Sequence, residues 1–400
     1  MKRNTLLILL VVAAGLVLVL NPLQFLHRGG PGRASAPAAV VGPLASWAES
    51  AWQSPEDYVL AAFSGHDLVL LGEMFKIRQN VMLVHDLIPR LYAAGIRDLG
   101  VEYALSDDQP RIDALLTAPS WDEAAARAIT FDWLVTWGYQ EYVDLYHAAW
   151  EVNHRRPAGA PPFRIVGLNV RVHWDALQQQ KDLADPSVVA RLYADGLPEV
   201  HMADVIDREL TRAGRKALIF CGTQHVFTRY RSRAYEKNAN DRKLADVRRM
   251  GAIVYDRIGS RVFSISLHAP WPDPAQPDGL TWAAGGAIDG MISALPADKQ
   301  SGGWSTAGTP LGALPLAGSA YSEAGAETLA DLFDGYVIQG PLSLYSTVTP
   351  IPGFIGPADA ARAGREYPGV KPGVPPTAAQ LNQAISDDLV SLSRALTPFR

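Results

Sequence analysis

The sequence predicts an α/β protein with a mostly parallel central sheet, helices on both of its faces and a Pro/Gly-rich insertion. Continuous apolar runs that end at a polar residue are the first observation, and HDLVLLGE (66–73) is the clearest of them. Buried parallel strands have this continuous apolar pattern. The second observation is that segments with helical spacing separate the runs. Alternating strands and helices are typical of an α/β sheet.

The first strand–helix–strand unit predicts how the sheet begins. Its strands are expected at 66–73 and 96–103, and the helix between them at 80–94. Asn80 and Gly95 are residue types that start and stop a helix. The two strands of such a unit lie parallel and are joined by a right-handed crossover.

The later segments continue this alternation. Ser120–Glu123 has the pattern of a capping box, and helices are expected at 121–129, 139–153, 187–213 with a break near 196–198, and 377–396. Further strands are expected at 163–170, 216–225, 252–255, 262–269 and 335–341.

Composition bounds the domain organisation and the partners. Residues 28–54 read as a flexible tether, 55–347 as the α/β domain with a surface insertion at about 270–320, and 348–400 as a Pro/Gly-rich segment with a final helix. The net charge of −5 and the absence of a basic stripe with interleaved aromatic residues exclude nucleic acid as a partner. A single cysteine, Cys221, excludes an intrachain disulfide framework and a multi-cysteine metal site.

The N-terminal segment, 1–27, predicts export. Lys2 and Arg3 precede an apolar run from Leu6 to Leu20, which reaches about 20 residues, the length of a bilayer span, if it is counted on through 26. One interpretation is a signal peptide cleaved after Ala34-Ser35-Ala36, which would give a secreted form. The other, which we favour, is an uncleaved anchor in the inner membrane, with the bulk of the chain on the periplasmic side.

Three polar residues follow predicted strands at one edge of the sheet. Glu73 ends the first strand, Glu102 lies near the end of the second, and His225 follows a later one. Ligands of open α/β sheets bind beyond the carboxyl ends of the strands. Two carboxylates in one crevice repel each other unless a cation lies between them, and Lys76, Arg78 and His225 are the candidates. Two Glu and one His make a general acid/base set or a metal site.

The same residues carry a resemblance to a known superfamily. LVLLGEMFKIRQN (68–80), the following helix and LGVEY (99–103) resemble the superfamily that unites erythromycin esterases, ChaN-like haem-binding uptake proteins and Tiki-type metalloproteases. Members have a strand ending in Gly-Glu-x-His, a nearby Arg, a second strand ending in Glu and a later Gly-x-x-His. Glu73, Arg78, Glu102 and His225 match these positions. The resemblance spans roughly residues 55–345.

Two departures qualify what the resemblance implies. Phe75 occupies the position of the family His, and Asn169 that of an Asp. A phenyl ring neither transfers a proton nor binds a metal, so the chemistry of the crevice is expected to be altered.

The resemblance implies two alternatives for function, with a small-molecule or peptide ligand in either case, and we favour the first, hydrolysis of an ester or amide by activated water. In a hydrolase, Glu73 or Glu102 would be the general base, His225 the acid/base partner, and Arg78 would stabilise anionic charge. A divalent metal would be held by Glu73, Glu102 and His225. In a binding protein, the crevice would hold haem or another small molecule, with Phe75 as an apolar wall. His173 follows the strand at 163–170, so it is a further candidate for contact with a cofactor.

Overall fold

The computed structural model describes residues 36–177, 185–231, 248–275, 279–322, 326–367 and 375–400. No helix in these ranges is long and apolar enough to cross a membrane. The predicted signal or anchor segment, 1–27, lies outside the described residues, as does the beginning of the predicted tether.

A seven-stranded sheet forms the centre of the molecule. The strands in chain order are β1 Leu68–Glu73, β2 Asp98–Leu105, β3 Arg164–Asn169, β4 Ala217–Gly222, β5 Val262–Leu267, β6 Trp271–Pro272, β7 Leu280–Thr281, β8 Ser301–Ser305 and β9 Gly335–Gln339. The order across the sheet is β3-β2-β4-β1-β5-β9-β8, and β6 and β7 form a separate hairpin. Every pair in the large sheet is parallel except β8 with β9. The predicted mostly parallel sheet is confirmed.

Helices cover both faces of this sheet. They are α1 Ala38–Ser50, α2 Pro55–Ala62, α3 Arg78–Ala93, α4 Gln109–Thr117, α5 Glu123–Trp133, α6 Gln140–Arg155, α7 Pro186–Leu192, α8 Pro198–Ile206, α9 Met250–Ile258, α10 Ala287–Ala294, α11 Leu329–Leu332, α12 Ala360–Glu366 and α13 Ala378–Leu396. The first of the two larger buried apolar clusters includes residues of α2 to α6 and α13, and the second includes residues of α1, α8, α9, α10 and α11. Because side chains alternate along a strand, β1, β3, β4, β5 and β9 contribute to both clusters.

The order of the strands determines which strand ends are neighbours at the carboxyl edge of the sheet. β1 and β2 run parallel, as the first unit predicts, but β4 lies between them. Glu73 at the end of β1 is in register with Gly222 at the end of β4. The segment after β4 therefore lies between the ends of β1 and β2.

The segment predicted as a strand at 252–255 is a helix, α9. Ala252, Ile253 and Val254 are all buried within it, and Gly259, with φ of +59°, follows its end. A short apolar run is compatible with either a buried strand or a buried helix, and periodicity alone does not separate the two.

Two segments predicted to lie outside the core belong to it. α1 occupies much of the predicted tether, and Leu44, Ala45 and Ala48 are buried. Within the predicted surface insertion, β8 completes the sheet, and Trp304 is buried with its indole N–H donated to the Ala48 carbonyl at 2.9 Å. A segment rich in Gly and other small residues can form a loop or pack closely in a core, so its composition alone does not separate the two.

The predicted capping box at Ser120–Glu123 is also corrected. Asp122 caps α5 instead, because its carboxylate accepts the backbone N–H of Ala125 at 3.0 Å. The helix consequently begins two residues later than predicted and runs on to Trp133.

Candidate functional site

A cavity of about 90 Å³ lies beyond the carboxyl ends of β1, β4 and β5. Glu73, Gly222, His225 and Ser266 line it from the strand ends. Leu267 at the end of β5 and the segments that follow β1 and β5 contribute mainly apolar side chains, among them Phe75 and Trp271. The titratable residues among its described lining residues are Glu73, His225 and Tyr321.

Glu73 is buried and is held by one tyrosine. The Tyr142 hydroxyl lies 3.0 Å from both of its carboxylate oxygens. Burial raises the pKa of Glu73 well above its ordinary value, the Tyr142 hydrogen bond opposes this, and the nearby Glu102 charge raises the pKa further. Burial in an apolar setting therefore favours the protonated, uncharged form of this carboxyl group.

Lys76 is the cation near Glu73, and the chain turns sharply to place it. Its φ of +67° is in the left-handed region, which costs a residue with a side chain on the order of 1–2 kcal/mol. Two hydrogen bonds hold this turn, from the Lys76 N–H to the Tyr142 hydroxyl at 3.1 Å and from the Val348 N–H to the Lys76 carbonyl at 2.9 Å. The Lys76 ammonium is buried and pairs with Asp388 of α13.

His225 lies between two carboxylates. Its Nε2 is 3.1 Å from Oε1 of Glu102, and its Nδ1 is 2.9 Å from Oε2 of Glu199. The other Glu102 oxygen accepts the N–H of Gly222 at 2.9 Å. Despite burial, which disfavours the charged ring, these two carboxylates raise the pKa of His225 to about 10. His225 is therefore an imidazolium with both nitrogens engaged.

Glu199 and Arg249 complete this ion-pair chain, and sequence reasoning missed both. The Arg249 guanidinium donates to Glu199 at 2.6 Å and to the Gln224 side chain at 2.6 Å, and the Met250 N–H donates to Glu199 at 2.7 Å. Although burial opposes it, the charges of His225 and Arg249 lower the pKa of Glu199 to about 2. No local pattern marked Glu199, because an acidic residue after Pro198 at a helix start is ordinary.

The two predicted glutamates approach the cavity from opposite faces of the sheet. Glu73 lies two residues after Leu71 in β1 and so points to the same face of the sheet. It contacts Tyr142, and both Leu71 and Tyr142 belong to the first apolar cluster. Glu102 reaches His225 and, through it, Glu199 of α8, on the face of the second cluster. Of the two, Glu73 lines the cavity, whereas Glu102 lies behind His225.

Phe75 lies at the position that corresponds to the His of the superfamily that the sequence resembles. Its ring packs edge-on to Trp137 with 5.4 Å between centroids. It also lies so close to Gly222 that a Cβ there would be 2.9 Å from the Phe75 ring. Phe75 is thus a buried wall of the cavity and excludes any larger residue at 222.

Arg78 and His173 lie apart from this cluster. Arg78 donates from Nε to Glu141 at 3.0 Å, its side chain is 49% exposed, and it does not line the cavity. The sharp turn at Lys76 explains this, because it directs Lys76 inward and starts α3 at Arg78. His173 pairs with Asp195 at 2.8 Å and lines a different cavity, beyond β3.

The residues present do not fit the metal or the haem that the resemblance implies. Among the described residues, no group of three or more His, Cys, Asp and Glu side chains is arranged to hold a metal ion. Both His225 nitrogens are bound to carboxylates, and the raised pKa of Glu73 favours its uncharged form, a poor metal ligand. The cavity of about 90 Å³ is also smaller than the roughly 300 Å³ or more that a drug-sized ligand needs.

Fold and cavity together define the class: an α/β protein with a small, mainly apolar cavity at the carboxyl edge of a parallel sheet. No family model matches the sequence, and no curated protein matches it. A solved succinoglycan biosynthesis protein is similar in structure, with 11% identity, 78% of this chain and 99% of that chain covered, and a TM-score of 0.50.

Two further solved structures are similar at lower scores. ChaN of Campylobacter jejuni, solved with cofacially bound haem, has 14% identity, with 56% of this chain and 89% of that chain covered and a TM-score of 0.35. The erythromycin esterase EreC has 13% identity, with 70% of this chain and 92% of that chain covered and a TM-score of 0.44. The likeness concerns the fold alone.

Proposed function

We propose that this protein binds a small, largely apolar molecule that carries a hydrogen-bond acceptor. The neutral carboxyl group of Glu73 would donate to the acceptor, and Phe75, Leu267 and Trp271 would cover the apolar part. The lining supports this, because ligand cavities are mostly apolar with few polar groups that fix orientation.

One observation carries the choice of binding over catalysis: both nitrogens of His225 are engaged by carboxylates. An imidazolium with a pKa of about 10 does not accept a proton from water at neutral pH. Phe75 stands where a second imidazole would be. The described lining residues therefore include no group suited to activate water.

Hydrolysis of an ester or amide is the second candidate, and Glu73 favours it. A buried carboxyl with a raised pKa is the usual form of a general acid, which would protonate a leaving group. The general base that hydrolysis also needs is the part that the described lining lacks.

Phenyl acetate separates the two candidates, because it has an apolar ring, a carbonyl acceptor and a cleavable bond. We expect ligand-observed NMR to show binding to the natural protein without phenol release above the uncatalysed rate. Glu73→Gln keeps an uncharged donor and should retain binding, whereas Glu73→Ala should lose it. Glu151→Gln, on the exposed side of α6, is the matched control.

The outcomes are distinct. Phenol release that depends on Glu73 would replace the binding proposal with hydrolysis. Equal binding by the natural protein and by the Glu73→Ala variant would remove Glu73 from the site. Stoichiometric haemin binding that is lost in a Phe75→Ala variant would favour haem as the ligand instead.

We further propose that the chain is exported and held in the inner membrane by residues 5–26. The two basic residues before the apolar run support the orientation. Alkaline phosphatase fused after residue 36, before α1, should be active, and the full chain should be found in the membrane fraction. An inactive fusion would contradict export, and a soluble form beginning near Pro37 would show that the segment is a cleaved signal peptide.

A further inference from the structure

A second and larger cavity, of about 240 Å³, lies beyond the end of β3. The segment 171–175 that follows β3 lines one side, Asp132 and Trp133 at the end of α5 line another, and Arg365 and Glu366 at the end of α12 line the third. None of these residues lines the cavity at Glu73. The proposed function leaves this cavity unexplained.

The charged side chains that line this cavity differ in whether they have an oppositely charged partner among the described residues. Asp132 accepts hydrogen bonds from Arg111 at 2.6 Å and from Arg362 at 2.5 Å, and these two arginines hold its pKa below the ordinary value against the effect of burial. Arg362 also donates to Glu366 at 2.9 Å. Two of the three lining carboxylates, Asp132 and Glu366, are therefore already paired with arginines that do not line the cavity, and Asp175 is the third.

Arg171 and Arg365 differ from these paired groups. Within the described part of the chain, neither guanidinium has an ion pair or a hydrogen bond, although both line the cavity. Arg171 is partly buried and Arg365 is exposed. Two arginines in one cavity that have no partner among the described residues are suited to bind a carboxylate, because a guanidinium matches its geometry.

Trp133 supplies an apolar wall beside them. It is partly buried, lines the cavity, and packs edge-on against Trp137 with 4.7 Å between ring centroids. An indole that is fixed from behind offers a flat apolar surface to a ligand ring.

We infer that this second cavity binds a sugar acid, a monosaccharide that carries a carboxylate. Arg171 and Arg365 bind the carboxylate, the ring's apolar face packs on Trp133, and the carboxylate oxygens of Asp132, Asp175 and Glu366 accept hydroxyl protons. A volume of about 240 Å³, just below the roughly 300 Å³ of drug-sized pockets, suits one sugar unit.

The site is separate from the cavity at Glu73. Phe75, Trp137 and Trp133 form a continuous aromatic wall, with ring centroids 5.4 and 4.7 Å apart, and each cavity contacts one end of it. The inference therefore stands or falls independently of the proposed function.

Titration with glucuronate, followed by protein NMR or calorimetry, tests the assignment on the folded protein. We expect saturable binding, with glucose at least about tenfold weaker because it lacks the carboxylate. Arg365→Gln and Arg171→Gln should each weaken glucuronate binding by about tenfold, the loss of one charge-assisted hydrogen bond. Arg394→Gln changes an exposed helix arginine far along the chain, on α13, and should have no effect.

Three results would overturn the assignment. They are no saturable glucuronate binding at tens of millimolar, equal affinity for glucose and glucuronate, and arginine variants that bind as tightly as the Arg394→Gln control. Binding of inorganic phosphate in preference to glucuronate would replace the sugar acid with a phosphate ligand. Unchanged melting temperatures of the Arg171→Gln and Arg365→Gln variants would exclude loss of folding as the cause of weaker binding.

Discussion

The Tyr142 hydroxyl group lies 3.0 Å from each carboxylate oxygen of Glu73 and also accepts the backbone N–H of Lys76 at 3.1 Å. One side chain thus holds both the acid of the cavity and the left-handed turn that follows it. Because all three residues are buried, water does not replace these hydrogen bonds when the hydroxyl is removed.

Tyr142→Phe should consequently destabilise the protein by about 1–3 kcal/mol, the cost of leaving buried polar groups without partners. Tyr146→Phe is the matched control on the same helix, because the Tyr146 hydroxyl is buried and has no hydrogen-bond partner among the described residues. Its removal should be neutral or stabilising. Urea unfolding of both variants measures the difference, and equal effects would contradict the role given to Tyr142.

Glu73→Gln should change how stability depends on pH. Because the folded-state pKa of Glu73 is raised, the folded protein keeps a proton that the unfolded chain releases above about pH 4.5. The natural protein should lose up to about 1.4 kcal/mol per pH unit relative to the variant as pH rises from there towards the raised pKa.

Urea unfolding between pH 4 and pH 8 measures this difference. Glu151→Gln, which removes a partly exposed carboxylate on α6, should follow the natural protein throughout. Parallel curves for the natural protein and the Glu73→Gln variant would show that Glu73 is ionised in the folded state.

His225→Gln should be among the most destabilising substitutions in the molecule. It leaves Glu102 and Glu199 without the cation between them, and loss of one partner of a buried ion pair costs about 3–5 kcal/mol. Adding Glu102→Gln should restore part of the loss, because it removes one of the stranded charges. Chemical denaturation of the single and double variants measures both effects, and additive losses would contradict the coupling.

His225 also makes stability depend on pH, but neighbouring carboxylates rather than burial raise its pKa. Its folded-state pKa of about 10 exceeds the ordinary 6.5, so its contribution is complete below pH 6.5 and is lost as pH rises through about 10. His85→Gln removes a partly exposed imidazole and should keep the natural profile. A natural protein as stable at pH 10.5 as at pH 7, relative to the His225→Gln variant, would contradict the raised pKa.

The strand ends could be predicted from the sequence because their signal is local. A continuous apolar run followed by a polar residue places Glu73 and His225 at one edge of the sheet, and the structure has both lining one cavity. Strand order is not local. β4 enters between β1 and β2, so Glu102 meets His225 rather than Glu73.

The remaining site residues depend on contacts between distant segments. Glu199 is on α8 and Arg249 directly precedes α9, and these two helices meet only in the folded chain. Asp388 on the last helix pairs with Lys76. The choice of Lys76 over Arg78 as the inner cation depends on a left-handed turn at a residue that is not glycine. Such a conformation is uncommon and has no sequence signature here.

Phe75→His tests directly whether a missing imidazole is what separates this cavity from a hydrolytic site. Residue 75 lines the same cavity as Glu73 and approaches Gly222, so an imidazole there would face the cavity. The nearby His225 imidazolium disfavours a second positive charge, which keeps the new ring neutral and able to accept a proton from water.

The variant should therefore release phenol from phenyl acetate at least tenfold faster than the natural protein, at the low end of the 10²–10⁴-fold that a well-placed general base contributes. Phe75→Leu, which keeps the wall apolar, should stay at the rate of the natural protein. Glu73→Gln in the Phe75→His background should reduce the new activity, because an amide does not protonate a leaving group. A folded but inert Phe75→His variant would mean that the carboxylate clamp on His225, rather than the phenyl ring, prevents hydrolysis in this cavity.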